Sequence, residues 1–249
     1  MTYNVIFVIK IGIALALAVI FGNGCVVVFN RVPARWFEDW TGEGDKRRLP
    51  DRLLETMENG RQRLPSTPWK MGFTAFFVFA GIYLATKEPL QYLIGAMIVM
   101  AVVLEMAVSD ALYMVVPDQF MILLCASAVG FIGLHNVWWE PLAGAGVGLA
   151  LSFAVFGTGR LLFHKDAIGG ADIKFYIAIG LVTGVAGVVV IFVMTSMISL
   201  VLAAVASFRK RGLVGTAGEA NAVAMLPGAF AATSIYLLFM WETLELLIM

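Results

Sequence analysis

The sequence predicts an all-α protein: a polytopic membrane bundle of about eight transmembrane helices, with one cytoplasmic segment between the first two. Three observations predict it. Of 249 residues, 61% are hydrophobic and 14% charged, whereas a soluble domain has about a quarter of its residues charged. Mean hydropathy is +0.90. The apolar residues fall in runs close to the roughly 20 that cross a bilayer core at 1.5 Å per residue. Soluble, disordered and coiled-coil classes are excluded. Seventeen basic and 17 acidic residues balance, so no global basic field argues for nucleic acid. The partner that composition demands is the lipid bilayer.

The first run, residues 4–29, is too long for a signal-peptide core and lacks a small-residue cleavage site at its end, so it is expected to stay as a span. Residues 31–70 differ sharply, holding nine Lys or Arg, seven Asp or Glu and four prolines. Within them, residues 50–63 interleave acids with Leu53, Leu54 and Met57 and predict a short helix. Further apolar runs cover 71–87, 90–109, 114–134 and 142–163. From Ile173 to Phe208 apolar character persists for 36 residues, about 54 Å of helix and too long for one span. Thr183-Gly184 is the expected break. A last span is expected at 226–247. The chain thus divides into a first helix (1–30), a cytoplasmic segment (31–70) and a bundle (71–249).

The positive-inside rule orients the bundle. With 31–70 in the cytoplasm, 15 of the 17 Lys and Arg lie on that side, and only Lys10 and Lys87 lie outside. The N-terminus is then external, and Trp138 and Trp139 fall at the external interface. Ionisable residues within or at the edge of the membrane are functional candidates by default. Only two histidines occur, His135 and His164, on opposite faces in this topology. Cys25 and Cys125 sit in apolar runs and read as small buried hydrophobes. No metal site is expected.

Asp110 and Asp172 are expected at the same depth on the cytoplasmic side. Two neighbouring carboxylates cannot both ionise cheaply and share a proton, which is the requirement of an aspartic protease. Gly169, Gly170 and Ala171 precede Asp172 and would let an extended peptide approach the backbone. The alternative is structural: an aspartate beside a Gly-Gly turn is also an ordinary helix cap. Asp118, after Pro117, reads as a helix start. Glu105 lies deeper and is expected to pair within the bundle. Lys174 could meet a carboxylate or snorkel to lipid. Glu38, Asp39, Glu43 and Asp45 could receive a basic peptide, while Trp36, Phe37 and Trp40 are expected to rest on the membrane surface; a solvated mixed-charge loop is the plainer alternative.

The run Gly169-Gly170-Ala171-Asp172-Ile173-Lys174 resembles the G-x-G-D-x-K signature of type IV prepilin peptidases, a family of membrane aspartic proteases. Asp110 through Pro117 and Asp118 resembles the other half of that site. Gly22 to Pro33, including Arg31, is similar to the N-terminal family block, and Met225 to Phe230 is similar to the block before the last span. The resemblance implies Asp110 and Asp172 as the catalytic pair. It implies cleavage of the basic leader from type IV prepilin or pseudopilin precursors at the cytoplasmic face of the inner membrane. Proteolysis in the family needs no cofactor. Many relatives also methylate the new N-terminus with S-adenosylmethionine, and that activity stays open because no methyl-donor site is readable. Ala171 departs from the second glycine of the signature, and the paired Cys-x-x-Cys motifs of larger relatives are missing from 31–70. A transporter, supported by the small residues Gly144, Gly146 and Gly148, and an inactive assembly scaffold are the rival readings. Oligomeric state is not legible.

Overall fold

The computed structural model describes residues 2–41, 46–163, 169–211 and 224–241. The chain is a helical bundle. Helix α1 (Thr2–Arg31) leads into a single 3₁₀ turn, Ala34–Phe37, and a short antiparallel hairpin, β1 (Asp39–Thr41) and β2 (Lys46–Arg48). Helices α2 (Asp51–Glu58), α3 (Ser66–Lys87), α4 (Leu90–Tyr113) and α5 (Asp118–Ser127) follow, the last continued by a 3₁₀ stretch, Ala128–Leu134. Then come α6 (Glu140–Phe163), α7 (Gly170–Arg211) and α8 (Leu226–Ile235), the last continued by a π turn, Tyr236–Met240. Five of the described helices are long and apolar enough to cross a membrane, and two shorter apolar segments, Asp118–Leu134 and Leu226–Met240, accompany them. The chain is a multi-pass membrane protein.

Helix α7 is two helices joined at a kink. Gly184 breaks it with φ 70° and ψ −169°, a conformation that glycine alone adopts without strain. The expected break at Thr183-Gly184 is therefore present. Residues 170–183 form a first limb and 185–211 a second. Contacts between helix ends give the alternating course the topology requires. Lys10 Nζ donates to the Glu88 carbonyl (2.5 Å) at one end of the bundle, and Asp110 meets the first amide of α8 at the other.

Two packing modes hold the bundle. The α6–α7 contact is backbone on backbone: a methyl placed on Gly148 would strike the Tyr176 carbonyl, and one on Gly144 or Gly180 would strike the other's carbonyl. This is the small-xxx-small approach that lipid-embedded helices favour. Gly146 faces open space and takes no part. Gly22 does the same work for α1 against Thr74 of α3. Helix α4 is the most buried span, with Tyr92, Met97, Val99, Met100 and Val103 fully covered. Glu105 is buried on it, and Cys25 of α1 donates its thiol to the Ala101 carbonyl of the same helix (3.9 Å).

The segment between α1 and α3 is fastened at its two ends. The Asn30 side chain donates to the Leu64 carbonyl (2.8 Å) and accepts from the Leu64 amide (3.0 Å). Arg63 donates to the Val32 carbonyl (2.5 Å), capping the end of α1. Its guanidinium lies 5.1 Å over the Phe37 ring. Phe37 is fully buried against Phe29 and Tyr113, and Trp36 packs edge-on to Phe120. Both were expected on the membrane surface. Instead they are intramolecular anchors, because the turn after Pro33 folds them back onto α1, α4 and α5.

Candidate active site

The site begins with the end of α4. The helix runs one turn beyond its expected end at 109, to Tyr113, so Asp110 lies in its last turn. Met114 closes it in the left-handed conformation, φ 56°, and its amide donates to the Asp110 carbonyl (2.9 Å). Ser109 Oγ donates to the Val115 carbonyl and pins the loop that follows. Pro117, buried, then starts α5. This explains why the apolar run from 114 begins as a helix only at Asp118.

The Asp110 side chain reaches across the bundle. Its Oδ2 accepts the Leu226 amide at 2.9 Å, 116 residues away. That amide belongs to the first turn of α8, which carries Pro227 and whose unpaired N–H groups favour negative charge. Asp172 sits in the first turn of α7. The Gly169 carbonyl accepts the Asp172 amide (3.1 Å), and the Gly169 amide donates back to Asp172 Oδ2 (3.2 Å). This reciprocal pattern is that of a capping box. Asp172 therefore does cap its helix, as the structural alternative supposes. Each carboxylate rests at a helix N-terminus, and the two N-termini bring them to one end of the bundle.

A cavity of about 430 Å³ opens beside them. Gly169, Gly170, Ala171 and Lys174 line one wall, and Met114 to Val116 with Asp118 and Gln119 line the second. Arg35, Trp36 and Glu38 of the segment between α1 and α3 form the third. A methyl on Gly170 would meet nothing within 4 Å, so the approach to the backbone is open. Ala171 lies in the first helical turn; Met114 alone, among the described residues other than glycine, has a positive φ. The departure from the glycine signature is therefore compatible with the backbone. Lys174 Nζ meets Asp118 Oδ1 at 2.6 Å, both side chains exposed, and ties α7 to α5 across the cavity.

Five of the sequence-derived positions (Gly169, Gly170, Ala171, Asp118 and Lys174) thus share the cavity wall, with Pro117 behind it. The N-terminal block does not come to the site: Gly22 is a packing glycine, and Arg31 and Pro33 are exposed at the end of α1. His164, Lys165, Asp166, Glu43 and Asp45 lie outside the described residues, as do the side chains of Asp39 and Trp40. The sequence named Leu226 only as part of the Met225–Phe230 block, with no role at the site, and did not single out Ser109 or Gln119. Pro227 near a helix start was the available signal for Leu226. Gln119 Oε1 is buried without a hydrogen-bond partner beside the cavity. Among the described residues no cluster of His, Cys, Asp or Glu could hold a metal ion.

Residues 100–204 match the type IV leader peptidase family. That stretch is similar to this family. The leader peptidase region contains both aspartates, the 114–119 loop and the Gly169–Lys174 wall. Among curated proteins and among solved structures, none matches the chain. The chain is a multi-pass membrane protein with a region similar to leader peptidases.

Proposed function

We propose that the chain is an aspartic endopeptidase that removes the leader from type IV prepilin or pseudopilin precursors, with Asp110 and Asp172 as its catalytic pair. The observation that carries the reading is a placement: two carboxylates from distant parts of the leader peptidase region, each held by the N–H of a helix start, with Asp172 next to the Gly169–Ala171 wall of an open cavity. One carboxylate, ionised, takes a proton from water as that water attacks the scissile carbonyl. The other, protonated, donates to the carbonyl oxygen. The exposed glycines before Asp172 leave the extended peptide room against the backbone. Lys174, held by Asp118, keeps the two walls together.

The active end faces the cytoplasm in this proposal and the N-terminus lies outside, because 15 of 17 Lys and Arg then sit inside. The membrane is the inner membrane, where a precursor's apolar stem would stay while its leader is cut. Glu38 on the cavity wall is the acid placed to meet a basic leader. Methylation of the new N-terminus with S-adenosylmethionine is a second activity that this reading leaves open, and the mass-spectrometric test below reads it.

The test uses purified protein in lipid and a pilin-like precursor with a Gly-Phe junction, read by mass spectrometry with and without S-adenosylmethionine. Cleavage at the junction, abolished by Asp110→Asn and by Asp172→Asn in folded protein, is the expected result. Near wild-type cleavage by either variant would sink the assignment. A folded chain that cleaves no such precursor would favour the transporter or scaffold.

A further inference from the structure

The end of the bundle opposite the aspartates holds a second polar cluster, built around the break in α7. Breaking a helix strands the carbonyls that precede the break. The Val182 carbonyl is met by His135, whose ring Nε2 lies 3.1 Å away; with a carbonyl as acceptor, Nε2 carries the proton. The His135 side chain is fully buried and lies against Trp241, ring centroids 5.5 Å apart. Glu140, the first residue of α6, closes the other side. Its Oε2 is 3.6 Å from His135 Nδ1, and its Oε1 is 2.9 Å from where a Cβ on Gly184 would stand. Four elements converge on one interrupted turn.

That turn ends the limb that begins with Asp172. Residues 170–183 make a rod about 21 Å long, with Asp172 in the first turn and Val182 in the last. Along its length the limb touches α6 through Gly144 and Gly148 against Gly180 and Tyr176. On its other faces Phe175, Ile179 and Val182 are buried in the core, and polar contacts at its two ends add fixed points to that packing. At the near end the Lys174–Asp118 pair is exposed and weak. At the far end the His135–Val182 contact is buried.

We infer that His135 is a positioning residue for cleavage: its hydrogen bond to the Val182 carbonyl at the break in α7 fixes the register of the limb that carries Asp172. The inference rests on the proposed role of Asp172. A shift of about 1 Å at a reacting group is enough to lose on the order of 10²-fold in rate.

The experiment compares wild type with His135→Leu, His135→Gln and His135→Asn in lipid. It measures kcat and KM for the Gly-Phe precursor and amide hydrogen exchange over residues 183–188. The expected result for His135→Leu is a kcat lower by about 10- to 100-fold with KM within about twofold, and faster exchange at the break. Gln reaches the carbonyl with its amide and is expected to recover most of kcat and the slow exchange; Asn is too short and is not. Folded His135→Leu with wild-type kcat, or Gln no better than Asn, overturns the inference. If His135→Leu does not fold, the Gln and Asn pair decides. If wild type cleaves no precursor, the proposed function fails by itself, and exchange unchanged by loss of the imidazole then removes the anchor as well.

Discussion

The two ends of α7's first limb place polar groups in the membrane bundle in opposite ways. At the Asp172 end, carboxylates are held by the N–H groups of helix starts, with Gly169 serving Asp172 and Leu226 serving Asp110. They adjoin a cavity with room for water and peptide. At the Val182 end, polar groups close on one another, and the neighbouring recess is apolar. The first arrangement keeps charge available. The second satisfies a backbone interruption, with His135 Nε2 against the Val182 carbonyl. A buried polar group in a membrane protein is thus a functional candidate only when something open lies beside it.

The largest expected effect separates the two ends directly. Asp172→Asn retains an oxygen for the Gly169 amide, so the fold should persist while cleavage falls by about 10³-fold or more. An equal loss of melting temperature and activity would instead make Asp172 a cap alone. Next comes the α6–α7 contact between the ends. Gly148→Val forces a side chain onto the Tyr176 carbonyl and should destabilise by about 1–3 kcal/mol. Gly146→Val, facing open space, should stay within about 0.5 kcal/mol. Unfolding in detergent reads both, and equal effects would remove the idea of a glycine contact.

A smaller effect tests the closed end through pH. Burial holds the His135 pKa below its ordinary 6.5, with Glu140 acting weakly the other way. The unfolded chain then binds more protons than the folded one below about pH 6.5, so stability should fall on acidification through that window and level off above it. His135→Gln should flatten this component between pH 7.5 and 5.5; an unchanged slope would assign it to other groups. The smallest effect is at the cavity. Lys174→Gln breaks an exposed pair and should cost under about 1 kcal/mol of stability. A larger loss would show that the near end, too, anchors the limb.

Local signals made much of this legible. Apolar runs bounded by Pro89, Pro117 and Thr183-Gly184 fixed where most spans begin and break, because proline and glycine act on their own backbone. That Asp110 at the end of α4 and Asp172 at the start of α7 lie toward one end of the bundle followed from counting spans. The missed features depend on residues far apart in sequence. Nothing near Asp110 announces the Leu226 amide, nothing near His135 announces the Val182 carbonyl, and Asn30 meets Leu64 only after the segment has returned. Phe37 and Trp36 were misplaced for the same reason. Beside a membrane an aromatic pair fits an interface and a core equally well, and only the turn at Pro33 decides between them. Met114 was missed on other grounds, since a left-handed cap at a methionine has no compositional signature.

The anchoring of the segment between α1 and α3 has a consequence for chain length. Residues 31–63 leave the bundle and return to nearly the same point, where Asn30 grips Leu64 and Arg63 caps α1. The bundle thereby enforces the closure of a loop, and the entropy of closing a loop grows only with the logarithm of its length, about 0.6 kcal/mol per doubling. Additional chain inserted between β1 and β2 would add little to that and would leave the anchored ends where they are. The same set of spans could therefore carry a lobe of very different size, with the aspartates unaware of what hangs beneath them.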